Sequence, residues 1–171
     1  ASLVYFYAHG EPTMIECGLQ CQGDAIMRPD AEELDNARFV FAASCYSASV
    51  STYYNQSLSD VESYEDRAKS IDPADSIALA FLRSGALFYV GHMCMWGSNT
   101  FIMNILQTLQ EDPSLTTGEL LQAYYNQVSG PNIISDSPAG DLIGMDNNRF
   151  YYAAVILHGD PAVRIIRDPD S

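Results

Sequence analysis

SLVYFYAHGEP, residues 2–12, sets an apolar, aromatic run directly against a histidine and a glycine. The run Leu3–Ala8 has no polar residue alternating through it, so as a strand it must be covered on both faces. Three further runs read the same way: Phe39–Ala43 (FVFAA), Ala86–Val90 (ALFYV) and Tyr152–Leu157 (YAAVIL). Helical patterns lie between them. A short one runs from Pro29-Asp30 through Leu34. Another starts at Pro73-Ala74-Asp75, packs Ile77, Leu79, Ala80, Phe81 and Leu82, and stops at Gly85. A third follows Ser98 from Asn99 to about Gln110, before Asp112-Pro113. A fourth, capped by Thr116 or Thr117, runs from Gly118 to Val128, before Gly130-Pro131. Strands alternating with helices predict an α/β fold with a mostly parallel sheet covered on both faces.

The chain has 171 residues, enough for one domain spanning 1–171 that buries roughly two thirds of its unfolded surface. Two stretches read as loop insertions: 46–72, polar, rich in Ser and Tyr, with an acidic helical segment around Asp60–Lys69, and 129–148, rich in Gly, Pro, Ser and Asp. A strand this hydrophobic so near residue 1 needs neighbours, so N-terminal strands are expected from a preceding portion of the same domain or from a partner chain.

Lys and Arg number 8 against 22 Asp and Glu, a net charge of −14, which argues against nucleic acid as a partner. No stretch has the length and apolarity of a membrane span. Calcium is the ion such an acidic chain would suit, but Asp60–Asp66 shows no regular ligand spacing. The four cysteines are Cys17, Cys21, Cys45 and Cys94. Zinc would need Cys17, Cys21, His92 and Cys94 to converge from separate loops, and no cofactor is expected. The Asn55-Gln56-Ser57 sequon is compatible with secretion.

In open α/β sheets ligands gather where the strands end. The first strand presents His9-Gly10 there, the second Ser44-Cys45, the third Gly91 through Gly97, including His92, Cys94 and Trp96, and the last His158-Gly159-Asp160-Pro161. A cysteine becomes a nucleophile when a base takes its proton, and a histidine can return that proton to a leaving amine. A glycine beside the histidine lets a backbone N–H approach a substrate carbonyl. An inert buried thiol is the other reading of Cys45. His92 reads either as lining the cleft or as part of the zinc set. His158 reads as structural, and Asp160 as fixing its turn.

An apolar strand ending in His-Gly, followed by an apolar strand ending in a small residue and Cys, resembles the caspase-like cysteine peptidases of clan CD. SIALAFLRSGALFYVGHMCMWG (residues 76–97) is similar to the segment after the catalytic Cys in gingipain-type peptidases and CHAT domains. YYAAVILHGDPAVRI (151–165) resembles the Gly-Asp-Pro strand end of both, and its apolar-basic tail leans toward the gingipain type. The resemblance implies a caspase-like three-layer αβα sandwich and a cysteine endopeptidase that acts on proteins or peptides and is secreted or held at the cell surface. It assigns His9 as general base and acid, Cys45 as nucleophile, and Gly10 with the Cys45 amide as the oxyanion hole. Trp96, Ser44 and His92 would line the substrate pocket. The third, acidic catalytic partner of gingipains comes from strands before the His-Gly. The alternative is a catalytically silent caspase-fold module that binds or builds within a larger surface assembly.

Overall fold

The computed structural model describes residues 2–16, 25–34, 36–54, 68–93, 99–129 and 155–166. Its centre is β5, Ala37–Ala43 (ARFVFAA), whose residues are buried almost without a break. Side chains alternate along a strand, so this can hold only if both faces are covered. On one face Phe39, Phe41 and Ala43 join Phe88, Val90, Ile102, Ile105, Leu109, Leu120 and Tyr124 in one apolar cluster. On the other, Val40 and Ala42 join Ala31, Ala48, Ile77, Ala78, Phe81 and Tyr89.

The four apolar runs are neighbours, although the first is only partly covered, with Leu3 and Tyr7 exposed. Among the described residues, β1 (Ser2–Tyr7), β5, β8 (Phe88–His92) and β9 (Val155–Gly159) form one sheet in the order β1-β5-β8-β9. The β1–β5 and β5–β8 pairs are parallel and β8–β9 is antiparallel. α1 (Arg28–Glu33) and α2 (Ile77–Arg83) supply the second cluster. α3 (Asn99–Glu111) and α4 (Thr117–Ser129) supply the first. Helices therefore cover both faces of a mostly parallel sheet, as in a caspase-like αβα sandwich.

Local chemistry sets the helix limits. The expected start at Pro73 divides in two. Asp72 caps a short 3₁₀ turn, Pro73–Asp75, by accepting the Ala74 N–H at 2.8 Å, and Ser76 then caps α2. Gly85, at φ +102°, ends that segment in a conformation costly for other residues. At α4, the Thr116 Oγ1 accepts the Glu119 N–H while the Glu119 carboxylate accepts the Thr116 N–H at 2.8 Å, a reciprocal capping box. The Tyr125 hydroxyl donates to the Val155 carbonyl and ties α4 to β9.

Four expectations change. The first run stops at Tyr7, and His9–Glu11 is a separate strand, β2, in a small antiparallel sheet with β3 (Met14–Glu16) and β4 (Ala25–Met27). β8 begins at Phe88 rather than Ala86 and continues through Gly91-His92. Lys69 lies in β7 (Ala68–Ser70), paired with β6 (Thr52–Tyr54), not in a helix; residues 55–67 lie outside the described residues. β9 runs antiparallel, so His158-Gly159-Asp160-Pro161 sits at the opposite end of the sheet from His9 and Cys45. Its Gly159 is level with Phe88, where β8 starts.

Asp160 does fix that corner: its carboxylate accepts the Ala162 N–H at 2.8 Å and its N–H donates to the Leu87 carbonyl at 3.1 Å. Gly159 has φ +117°, and a methyl built there would lie 2.4 Å from the Leu87 carbonyl oxygen.

Candidate active site

The parallel register of β1 and β5 aligns Tyr7 with Ala43. Two residues beyond each come His9 and Cys45, at the same end of the sheet. The chain ends there are in contact. A methyl built on Gly10 would lie 2.7 Å from the Ser44 Cβ and 2.8 Å from the Cys45 carbonyl oxygen. Only a residue without a side chain lets β2 start so close to the end of β5. His9 itself is exposed and is the register partner of Glu16 on β3.

Cys45 is a free thiol, about half-buried, in a turn that closes β5. Burial pushes its pKa up, only partly offset by a backbone hydrogen bond. The thiol is therefore protonated at neutral pH, and any nucleophilic role requires a base to take that proton as the sulfur attacks.

The next residue, Tyr46, has φ +53° and is buried. A bulky side chain in this region costs on the order of 1–3 kcal/mol and persists only where its surroundings dictate it. Here the Tyr46 ring packs on Tyr53, centroid to centroid 5.0 Å. Burial, and after it the negative charge of Glu11 on β2, push the Tyr53 phenol pKa up. Ser47 Oγ donates to the Ser44 carbonyl at 2.9 Å, and the Ser76 hydroxyl donates to the Ser49 carbonyl at 3.1 Å.

Residues 46–49, read from sequence as the start of a polar insertion, are all buried and form the backing of the Cys45 turn. The signal was present in the small residues Ser47-Ala48-Ser49. Small side chains can lie flat on a sheet, and Gly91 of β8 leaves the space: a methyl on Gly91 would lie 2.7 Å from the Ser47 Oγ and 3.4 Å from the Ala48 Cβ.

Of the remaining residues expected at the site, Ser44 and His92 are wholly buried and turn no surface to a cleft. His92 lies within β8, because Gly91 continues the strand instead of ending it. Its carbonyl accepts the Ala48 N–H at 2.9 Å, so it reaches the Cys45 turn through its backbone. Trp96, with Cys17, Cys21 and Cys94 of the zinc reading, lies outside the described residues. Among the described residues no group of three or more His, Cys, Asp or Glu is placed to hold a metal ion. No helix among them is long and apolar enough to cross a membrane.

Burial lowers the His92 pKa from 6.5 to about 4. The unfolded imidazole takes a proton near pH 6.5, whereas the folded one stays neutral until about pH 4. Between those values the unfolded state binds the extra proton, so stability is lost as pH falls through the window. The loss should reach about 2 kcal/mol by pH 4.5. Urea unfolding at pH 7 and pH 4.5 should show this loss for the native protein and a loss smaller by that amount for His92→Leu. Equal losses in both would show that His92 is not the source.

A family model described as Peptidase family C25 matches residues 1–166. The chain belongs to Peptidase family C25. No curated protein gives a significant match to it. Family C25 is the gingipain family of clan CD, and the layered sheet described above accords with that membership. At family level the chain is a cysteine peptidase. The His9-Gly10 and Ser44-Cys45 strand ends meet at Gly10.

Proposed function

We propose that the chain carries the catalytic centre of a cysteine endopeptidase, with Cys45 as nucleophile and His9 as general base and acid. The observation that supports it most is the contact between Gly10 and Ser44-Cys45, which sets the histidine-bearing and cysteine-bearing strand ends side by side. The sulfur attacks the scissile carbonyl as His9 takes the thiol proton. The backbone N–H groups of Gly10 and Cys45 would receive the developing oxyanion. Collapse breaks the C–N bond, the leaving amine takes the proton from His9, and a thioester remains. Water, losing a proton to His9, then adds to the thioester, and the carboxylic acid departs as the thiol is restored. Trp96 is assigned to the wall of the substrate pocket. Ser44 and His92, being wholly buried, present no surface to substrate.

On this reading β1 pairs along its outer edge with a strand from a preceding portion of the domain or a partner chain. β1 has one sheet neighbour among the described residues and leaves Leu3 39% and Tyr7 59% exposed. Export to the cell surface or medium accords with the family.

One observation favours the silent module: burial raises the thiol of Cys45. Iodoacetamide separates the two readings. With denatured casein as substrate, cleavage should fall in step with alkylation at Cys45, followed by peptide mass spectrometry. No cleavage before alkylation would favour the module, and undiminished cleavage by protein fully alkylated at Cys45 would remove Cys45 as the nucleophile.

A further inference from the structure

The turn that carries Cys45 is held from outside. Its internal bonds, Ser47 Oγ to the Ser44 carbonyl and the Ser49 N–H to the Tyr46 carbonyl at 2.9 Å, close the loop on itself but do not fix where it lies on the sheet. That is set by bonds from outside: the Ser76 hydroxyl holds the Ser49 carbonyl at 3.1 Å, and two more are made by the peptide groups of Ala48. Its N–H donates to the carbonyl of His92 on β8 at 2.9 Å, and its carbonyl oxygen lies 2.7 Å from Nε2 of His158 on β9. A carbonyl can only accept, so Nε2 carries the hydrogen.

The position of His158 makes this reach feasible. It is the register partner of Tyr89, one strand further from β5, and Tyr89 lies on the same sheet face as Ala48. The turn lies low over β8 because Gly91 has no side chain there. The base of the imidazole is fixed as well. The next two residues are Gly159, in its left-handed conformation against Leu87, and Asp160, bonded to the Leu87 carbonyl. A rigid corner therefore anchors one end of the histidine, and its ring fixes the Ala48 carbonyl at the other.

We propose that His158 is a positioning residue for the catalytic thiol: its Nε2–H holds the Ala48 carbonyl and, through it, the strained Cys45-Tyr46 turn. The assignment rests on the peptidase reading of Cys45. His158 touches no substrate. Without its hydrogen bond the Ala48 carbonyl is released and the turn shifts on its remaining bonds to His92 and Ser76, carrying the sulfur out of line and uncovering it.

The test compares His158→Gln, whose amide nitrogen can occupy the place of Nε2, with His158→Asn, which is too short, and His158→Leu, which has no donor. Three quantities are read: kcat and KM on labelled denatured casein, the rate of iodoacetamide alkylation at Cys45 by peptide mass spectrometry, and the melting temperature. The Gln variant should stay within about threefold of the native protein in kcat. The Asn and Leu variants should lose about 10- to 100-fold in kcat with KM within about twofold, the size of effect a misplacement near 1 Å produces. Their Cys45 should alkylate at least about threefold faster, while the Asn and Gln variants melt within a few degrees of each other.

Unchanged kcat and alkylation in the Asn and Leu variants would overturn the proposal, as would a Gln variant impaired as severely as Asn. If His158→Leu does not fold, the Gln–Asn pair decides. If the native protein cleaves no casein, the peptidase reading falls. The alkylation series then judges the hold alone: faster labelling in Asn but not in Gln supports it, and equal rates overturn it.

Discussion

Cys45→Ala is expected to lower peptide-bond hydrolysis at least about 10³-fold and to leave the fold in place. The loss is large because the acyl-enzyme route needs an atom that can bond to the scissile carbon, and a methyl cannot. What survives is whatever acceleration binding and oxyanion donors give to direct attack by water. The fold should tolerate the change. Cys45 is only about half-buried and no disulfide is formed by it, so removing one sulfur costs about 1 kcal/mol, within the ordinary range for a single substitution. The measurement is casein cleavage alongside thermal unfolding. Full activity in a folded Cys45→Ala protein would remove Cys45 from the chemistry. Activity lost together with a melting temperature lowered by tens of degrees would mean that the sulfur had been supporting the turn instead.

Gly10→Ala should be the most damaging single methyl added near the site. The new Cβ would fall 2.7 Å from the Ser44 Cβ and 2.8 Å from the Cys45 carbonyl oxygen, both part of the strand end and neither the tip of a flexible side chain. Relief must come from the backbone. β2 moves away from β5 by several tenths of an ångström, and with it move His9 and the Gly10 N–H. Misplacement on that scale is expected to cost about 10²-fold in kcat. The overpacking itself should cost about 1–3 kcal/mol of stability. Both are measurable on one preparation, by casein kinetics and urea unfolding. A Gly10→Ala protein with native kcat would show that the histidine-bearing strand end need not touch the cysteine-bearing one.

The sheet could be read from sequence because β5 and β8 carry uninterrupted apolar runs, the only pattern that suits strands covered on both faces. The pairing of His9-Gly10 with Ser44-Cys45 could be read because β1 and β5 are parallel, so residues after each strand emerge at one end. The same rule misplaced His158, since it assumes a parallel strand and β9 runs the other way. It also misplaced His92, because Gly91 was read as a strand end, whereas it is a strand residue whose bareness admits Ser47 and Ala48. Composition hid residues 46–49 in a similar way: serines suggest solvent, yet these are buried, the Ser47 hydroxyl donating to the Ser44 carbonyl and the Ser49 hydroxyl to the Met93 sulfur. The left-handed Tyr46 left no mark in the sequence, because its conformation is imposed by long-range packing on Tyr53. Hydropathy and turn chemistry are local, and these features depend on what arrives from elsewhere in the chain.

The antiparallel seating of β9 also sets an order of events. His9 and Cys45 lie within the first third of the chain, whereas the strand that completes this sheet among the described residues, with the ring that holds Ala48, begins at residue 155. A ribosome making this protein therefore releases base and nucleophile long before β9 emerges. Until it does, β8 has an open edge and the Cys45 turn lacks one of its two cross-sheet anchors. Activity of the proposed kind would switch on only after β9 has emerged and paired with β8, which spares the growing chain, and its neighbours, from a protease that matures too soon.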